Sequence, residues 1–136
     1  MAGYSKKPLV EKLGIKEGFQ ILISHPPVQY NLTLGTLPEN VNDNPTSDTP
    51  LNFIQFFTKS LQDLSQEFPI LKKRLRPDGM LWISWPKGSS SIKTDLNENL
   101  VRQIGLKNGL VDVKISAIDD DWSGLKFVYR IVDRPK

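Results

Sequence analysis

The only histidine in the chain, His25, stands in the segment Ser24-His25-Pro26-Pro27. Imidazole changes charge near neutral pH, so a histidine at a cleft is a ready general base. The plainer reading is a strand-end residue held by the two prolines that follow. A denser group runs from Lys87 to Asp95, Lys-Gly-Ser-Ser-Ser-Ile-Lys-Thr-Asp. Lys87 and Lys93 bring positive charge, and Ser89, Ser90, Ser91 and Thr94 bring hydroxyls. A helix start beyond them would bring free N–H groups, and the set would suit an anion such as phosphate. The plainer reading is a strand-to-helix loop with a hydroxyl cap. The segment lacks a Walker pattern, and Asp95 would repel an anion. Trp85 and Trp122 border loops, where a meeting pair would stack a ligand ring. As packing residues they would instead roof the core. Asp119-Asp120-Asp121 has no calcium-loop spacing and reads as an acidic hairpin turn, so no metal is expected.

These residues need elements to position them. Pro8 suits a first helical position and Gly14 a helix stop, with Leu9, Val10 and Leu13 on one face. Phe19 to Ser24, Leu51 to Phe57 and Met80 to Trp85 are almost wholly apolar, as strands covered on both faces are. Between the first two, Tyr30, Leu32, Leu34 and Leu37 could anchor a short helix or strand, and Glu39 to Thr49 reads as a loop. Leu61, Leu64, Phe68, Leu71 and Leu75 recur at helical spacing, with a kink or break expected near Phe68 because Pro69 follows it. Pro77-Asp78-Gly79 reads as a turn. A helix from about Asp95 to Lys107 would open on a capping box of Asp95 and Glu98. Val111 to Ala117 and Leu125 to Ile131 alternate apolar and polar residues, as two strands of a hairpin do. The expected fold class is α/β, one domain over residues 1–136: a three-layer, Rossmann-like, mostly parallel sheet closed by a C-terminal antiparallel β-hairpin.

Composition limits the function classes. Hydrophobic residues are 38% and charged residues 24%, a globular balance. Absence of cysteine excludes disulfides, thiolate catalysis and cysteine metal sites. The first residues carry Lys6, Lys7 and Glu11 without an apolar run, so no signal peptide is expected. No stretch reaches the ~20 apolar residues of a membrane helix. The expected location is cytoplasmic, with no membrane contact. The net charge is +3. Its one dense cluster, Lys72, Lys73, Arg74 and Arg76, falls where a helix C-terminus favours cations, so nucleic-acid binding is not the preferred reading.

Longer motifs add a resemblance. The chain opens with Met1-Ala2-Gly3-Tyr4-Ser5, Pro8-Leu9 and Lys12-Leu13-Gly14-Ile15. Pro77-Asp78-Gly79, Leu81-Trp82, Ser84-Trp85-Pro86-Lys87 and Thr94-Asp95-Leu96 follow, then Gly109 to Lys114 and Trp122-Ser123-Gly124-Leu125-Lys126. Together they resemble an uncharacterised bacterial family, a domain of unknown function. The resemblance implies a small, class I methyltransferase-like fold, similar to a truncated methyltransferase. It supplies no activity.

In that fold a glycine-rich turn after the first strand lets the backbone approach S-adenosylmethionine, and an acidic residue after the second holds its ribose. Here Ser24 to Val28 holds two prolines and no glycine. Glu39, Asp43 and Asp48 are the acidic candidates. No cofactor is expected. The leading reading is a non-catalytic binding or interaction module whose cleft is shallow or filled by His25, Pro26 and Trp85. The alternative is a small enzyme or ligand-binding protein in which His25, Lys87, Ser89 and Ser90 converge on one pocket for an anionic substrate. The third is a weak nucleic-acid binder, with Lys72, Lys73, Arg74 and Arg76 on one surface with Lys59 or Lys87. A small anionic ligand or a protein is the expected partner.

Overall fold

A computed structural model describes residues 7–135. The Met1 to Ser5 motif lies outside them. Helix α1 (Leu9–Leu13) is followed by strand β1 (Ile21–Ser24), helix α2 (Tyr30–Leu34) and strand β2 (Leu51–Phe57). Helix α3 (Leu61–Arg74), strand β3 (Leu75–Pro86) and helix α4 (Glu98–Lys107) come next. Strands β4 (Leu110–Ala117) and β5 (Trp122–Tyr129) and a 3-10 turn (Ile131–Asp133) close the chain. The sheet runs β1-β2-β3-β5-β4, parallel through β3 and antiparallel in the hairpin. The expected α/β, Rossmann-like sheet is present. Among the described residues no helix is long and apolar enough to cross a membrane.

Strand period two divides the core between the faces. Phe53 and Phe57 of β2 and Trp82 of β3 pack with α1 and α2, while Ile54, Phe56, Leu81 and Ile83 pack with α3 and α4. This explains why β2 and β3 read as continuous apolar runs. Gly14 turns the chain out of α1 with φ 90°, a left-handed conformation that glycine adopts without strain.

The path between β1 and β2 determines where a site can form. Beyond α2, Asn42 makes a parallel bridge to Gln20. The Ile21 N–H donates to the Asn42 carbonyl at 3.0 Å, and the Asn42 N–H donates to the Phe19 carbonyl at 2.9 Å. The Gln20 carbonyl accepts from Asn52, beside β2. Adjacent residues of a strand direct their amides to opposite sides, so Asn42 and β2 flank β1. The chain thus steps outward past β1 and crosses back, and strand order reverses there. Ligands of open α/β sheets bind beyond the strand ends at such a reversal.

Several expectations are corrected. Helix α3 continues through Pro69. Pro69 and Ser65 are both exposed, so the Ser65 carbonyl left without its i+4 donor faces water. Leu75 begins β3 instead of ending the helix. Pro77-Asp78-Gly79 lies within β3 as a bulge, because Leu51 pairs with Leu75 and Phe53 with Met80. Helix α4 begins at Glu98, and its cap is Asn97, whose side chain accepts the Leu100 N–H at 2.9 Å. Asp95 caps α3, accepting the Leu61 N–H at 2.8 Å. A second bulge, at Val113, breaks the alternation of β4: Asp112 pairs with Phe127 but Lys114 with Lys126.

A buried polar chain joins α2 to the sheet. The Tyr30 hydroxyl donates to Gln55 Oε1 at 2.7 Å, and Gln55 Nε2 donates to Ser84 Oγ at 3.1 Å. Gln55 and Ser84 have no exposed surface, and each would be costly without its partner. Burial pushes the Tyr30 hydroxyl well above its ordinary 10.0, with the Gln55 hydrogen bond opposing the shift. The raised group binds its proton in the fold after the unfolded chain has lost it. Its contribution is therefore complete below pH 10 and declines as pH rises above that. The urea midpoint should fall more steeply across this window in the wild type than in Tyr30→Phe. Equal slopes would mean that Tyr30 ionises freely in the fold.

Candidate functional site

An open cleft of about 600 Å³ lies at the C-terminal ends of β1 and β2, where strand order reverses. His25 to Val28 form one wall. Thr58, Lys59 and Ser60, with Asp63 and Glu67 of α3, form the other. Phe57 and Trp122 supply aromatic surface. The volume falls within the range of about 300–1,000 Å³ typical of small-molecule sites.

His25 has φ 57°. Histidine tolerates this left-handed backbone better than most residues. Its Nδ1 hydrogen-bonds Ser24 Oγ at 2.9 Å, and its ring meets Phe56 edge-on at 5.7 Å. An aromatic chain lies alongside: Tyr30 packs on Phe57 at 4.8 Å and Phe57 on Trp122 at 5.2 Å.

The opposite wall is held from several directions. The Thr58 N–H donates to the Ser84 carbonyl, and the Ser60 N–H to Thr58 Oγ1 at 3.2 Å. Ser60 caps α3 by accepting the Asp63 N–H. Thr94 Oγ1 donates to the Lys59 carbonyl at 2.7 Å. Two carboxylates, Asp63 and the capping Asp95, occupy the α3 terminus. They answer its partial positive charge and leave little attraction for an anion. Among the described residues Lys59, Asp63 and Glu67 form no ion pair.

Of the residues singled out from sequence, the fold brings His25 and Trp122 to this cleft. Trp85 does not meet Trp122. Trp85 packs on the α3 and α4 face and Trp122 on the opposite face, because β3 and β5 pair Trp85 with Ser123 and Pro86 with Trp122. The expected filling of the cleft by His25, Pro26 and Trp85 is corrected too: the cleft is open and Trp85 is buried elsewhere. Lys87, Ser89, Ser90, Lys93 and Thr94 do not line it. Ser90 donates to Asp121 Oδ1 at 2.8 Å, and the Lys87 N–H donates to the Asp121 carbonyl. The loop is tied to the hairpin turn, and α4 begins well after it. Asp119 accepts the backbone N–H groups of Asp121 and Trp122. No group of three metal-ligating side chains occurs among the described residues.

The basic cluster lies at the other end of α3, where Lys73, Arg74 and Arg76 border one pocket. Lys72 donates to the Asn108 carbonyl, Arg74 to the Thr46 carbonyl, and Arg76 pairs with Asp78 at 2.9 Å. Lys59 lies before the first turn of this 14-residue helix, about 20 Å away at 1.5 Å per residue. The cluster therefore does not share a surface with Lys59.

Sequence reasoning missed Thr58, Ser60, Asp63 and Glu67, and named Lys59 only as part of a basic surface. The available signal was their place directly after a buried parallel strand. What could not be read was that β1 and β2 are neighbours across a reversal.

Solved structures share this fold. A S-adenosylmethionine-dependent methyltransferase from Aquifex aeolicus matches with a TM-score of 0.59 and 14% identity, over 87% of this chain and 86% of that one. Magnesium protoporphyrin IX methyltransferase from Synechocystis, with bound S-adenosylhomocysteine, matches with a TM-score of 0.55 and 11% identity over 90% and 78%. A TehB-like methyltransferase from Corynebacterium glutamicum matches with a TM-score of 0.55 and 11% identity over 95% and 91%. No protein-family model and no curated protein matches the chain. The fold is that of class I methyltransferases. The turn after β1 does not fit their cofactor. Pro26 and Pro27 withhold two backbone donors where the fold needs them, and His25 adds a side chain in place of open backbone. Asp43 alone stands where an acidic partner belongs, just beyond the Asn42 bridge. Glu39 and Asp48 lie elsewhere in the loop.

Proposed function

We propose that this chain, as a single cytoplasmic domain, is a non-catalytic binding module that uses a methyltransferase-like fold to hold a small ligand in the cleft between His25 and Thr58–Asp63. The cleft itself carries the reading. It has the volume and position of a ligand site, but its first wall is His25-Pro26-Pro27-Val28 and not a glycine turn. A module without catalysis is further supported by its polar groups. His25 hydrogen-bonds its neighbour Ser24, and no other acid or base of the cleft is hydrogen-bonded to it among the described residues. The anion-loop enzyme loses its pocket, since Lys87, Ser89 and Ser90 do not converge with His25.

The test has two arms. S-adenosylmethionine and S-adenosylhomocysteine, at concentrations far above those that saturate methyltransferases, should leave the melting temperature unchanged. A ligand at 100 times its dissociation constant would stabilise by about 2.7 kcal/mol. A fragment screen read by ¹H–¹⁵N shifts should give hits that move His25, Thr58, Lys59 and Ser60 together. A melting shift with S-adenosylmethionine, or hits that avoid these four residues, would overturn the reading.

A further inference from the structure

We propose that the α1 side of the hairpin carries a binding site for a compact, multiply charged phosphate ligand, formed by Lys12, Lys16, Lys114 and Lys126. The site is separate from the cleft, since none of these lysines lines it.

Three observations converge on it. Lys114 and Lys126 are direct cross-strand partners on β4 and β5, and like charges directly opposite destabilise a sheet. Their juxtaposition depends on the bulge at Val113. With regular alternation Lys114 would share a face with Asp112, which pairs with Arg102 of α4. The bulge turns Lys114 to the α1 side instead, and bulges that re-aim a side chain gather at functional sites. On that side its ammonium donates to the Lys12 carbonyl at 3.2 Å, and the Lys12 ammonium donates to the Ala117 carbonyl at 3.4 Å. The third observation is the missing counter-charge. None of the four lysines has a carboxylate in ion-pair contact among the described residues. Burial, and then the charges of Lys114 and Lys16, hold the Lys126 ammonium below its ordinary range. A fold that gathers cations without pairing them to carboxylates is complementary to an anion.

Lysine ammoniums act on phosphate as mobile point charges. Lys114 and Lys126 side by side, with Lys12 and Lys16 on the adjoining α1 segment, match a ligand of several charges in a small volume. A polynucleotide would need a longer track of free cations. Here Lys72, Arg74 and Arg76 lie at the C-terminal end of α3, which packs on the other face of the sheet, and do not extend the patch.

Inorganic tripolyphosphate, titrated calorimetrically into the full chain at low salt, is the probe. A labelled single-stranded oligonucleotide forms the second arm. Saturable tripolyphosphate binding that weakens with added salt is expected. Lys114→Gln and Lys126→Gln should each weaken it about tenfold or more, the usual scale for losing a charged hydrogen bond. Lys73→Gln should leave it unchanged. Lys126 is half-buried, so the exposed Lys114 carries the test if the Lys126 variant fails to fold. Absence of saturable binding, binding that survives Lys114→Gln, or capture of the oligonucleotide without tripolyphosphate would each overturn the proposal.

Discussion

Gly105→Ala should destabilise the protein by about 2 kcal/mol or more, the range for overpacking a filled core. A Cβ at Gly105 would lie 2.0 Å from Phe127 Cε1 and 2.5 Å from Cδ1. The ring has nowhere to retreat. Phe127 has no exposed surface and meets Phe68 edge-on at 5.5 Å. Intrinsic helix preference acts in the opposite direction, since alanine is favoured over glycine by about 1 kcal/mol in a helix interior. The two effects therefore predict opposite signs, and the contact should win. The measurement is the urea midpoint at unchanged slope. Gly105→Ala combined with Phe127→Leu should recover part of the loss, because the branched chain vacates the ring position. A midpoint at or above wild type would mean that α4 shifts off the sheet at little cost.

Trp82→Ala should be more damaging, at about 3–5 kcal/mol. Trp82 is the largest of the fully buried side chains. Its indole N–H donates to the Leu13 carbonyl at 2.9 Å, satisfying the end of α1. On the sheet it stands between Gln55 and Lys126. Truncation opens a cavity beneath α1 and strands a carbonyl together. A drop in melting temperature of roughly 10–20 °C follows for a chain of this size. Trp82→Phe fills most of the space but cannot donate, so its loss should be nearer the 1–3 kcal/mol of an unsatisfied buried acceptor. If the two variants melted alike, the hydrogen bond and not the volume would govern the site.

Much of the architecture was legible because the core strands carry few polar residues. Leu51 to Phe57 and Met80 to Trp85 have one meaning as buried strands, and Leu64, Phe68 and Leu71 mark one face of α3. Features set by tertiary context were not legible. Asn97, and not Asp95, caps α4, since both residue types cap equally well and only the position of Leu61 decides between them. Pro69 is tolerated because its side of α3 meets water, which periodicity alone does not reveal. The Val113 bulge is invisible to a pattern that alternates without fault through it. The site was half legible. His25 was found because a strand visibly ended there. Thr58 to Asp63 were not, since their importance comes from a reversal recorded in one backbone bridge at Asn42. Trp85 and Trp122 looked like a pair because both border loops, and the parity of the β3–β5 pairing sent them to opposite faces.

The Asp95 carboxylate on the Leu61 amide joins segments 34 positions apart in the chain. Thr94 makes a second tie, to the Lys59 carbonyl. Ser90 fastens the same loop to the hairpin turn at Asp121. The first turn of α3, the 87–97 loop and the 118–121 turn are therefore tied together although remote in sequence, and they are expected to open together. Local unfolding follows such units and not the order of the chain. One wall of the cleft belongs to this unit and the other, at His25, does not. Fraying of the serine loop would thus release the Thr94 and Asp95 ties on the Lys59 wall and none on the proline wall, leaving the Thr58 bond to Ser84 to hold the former.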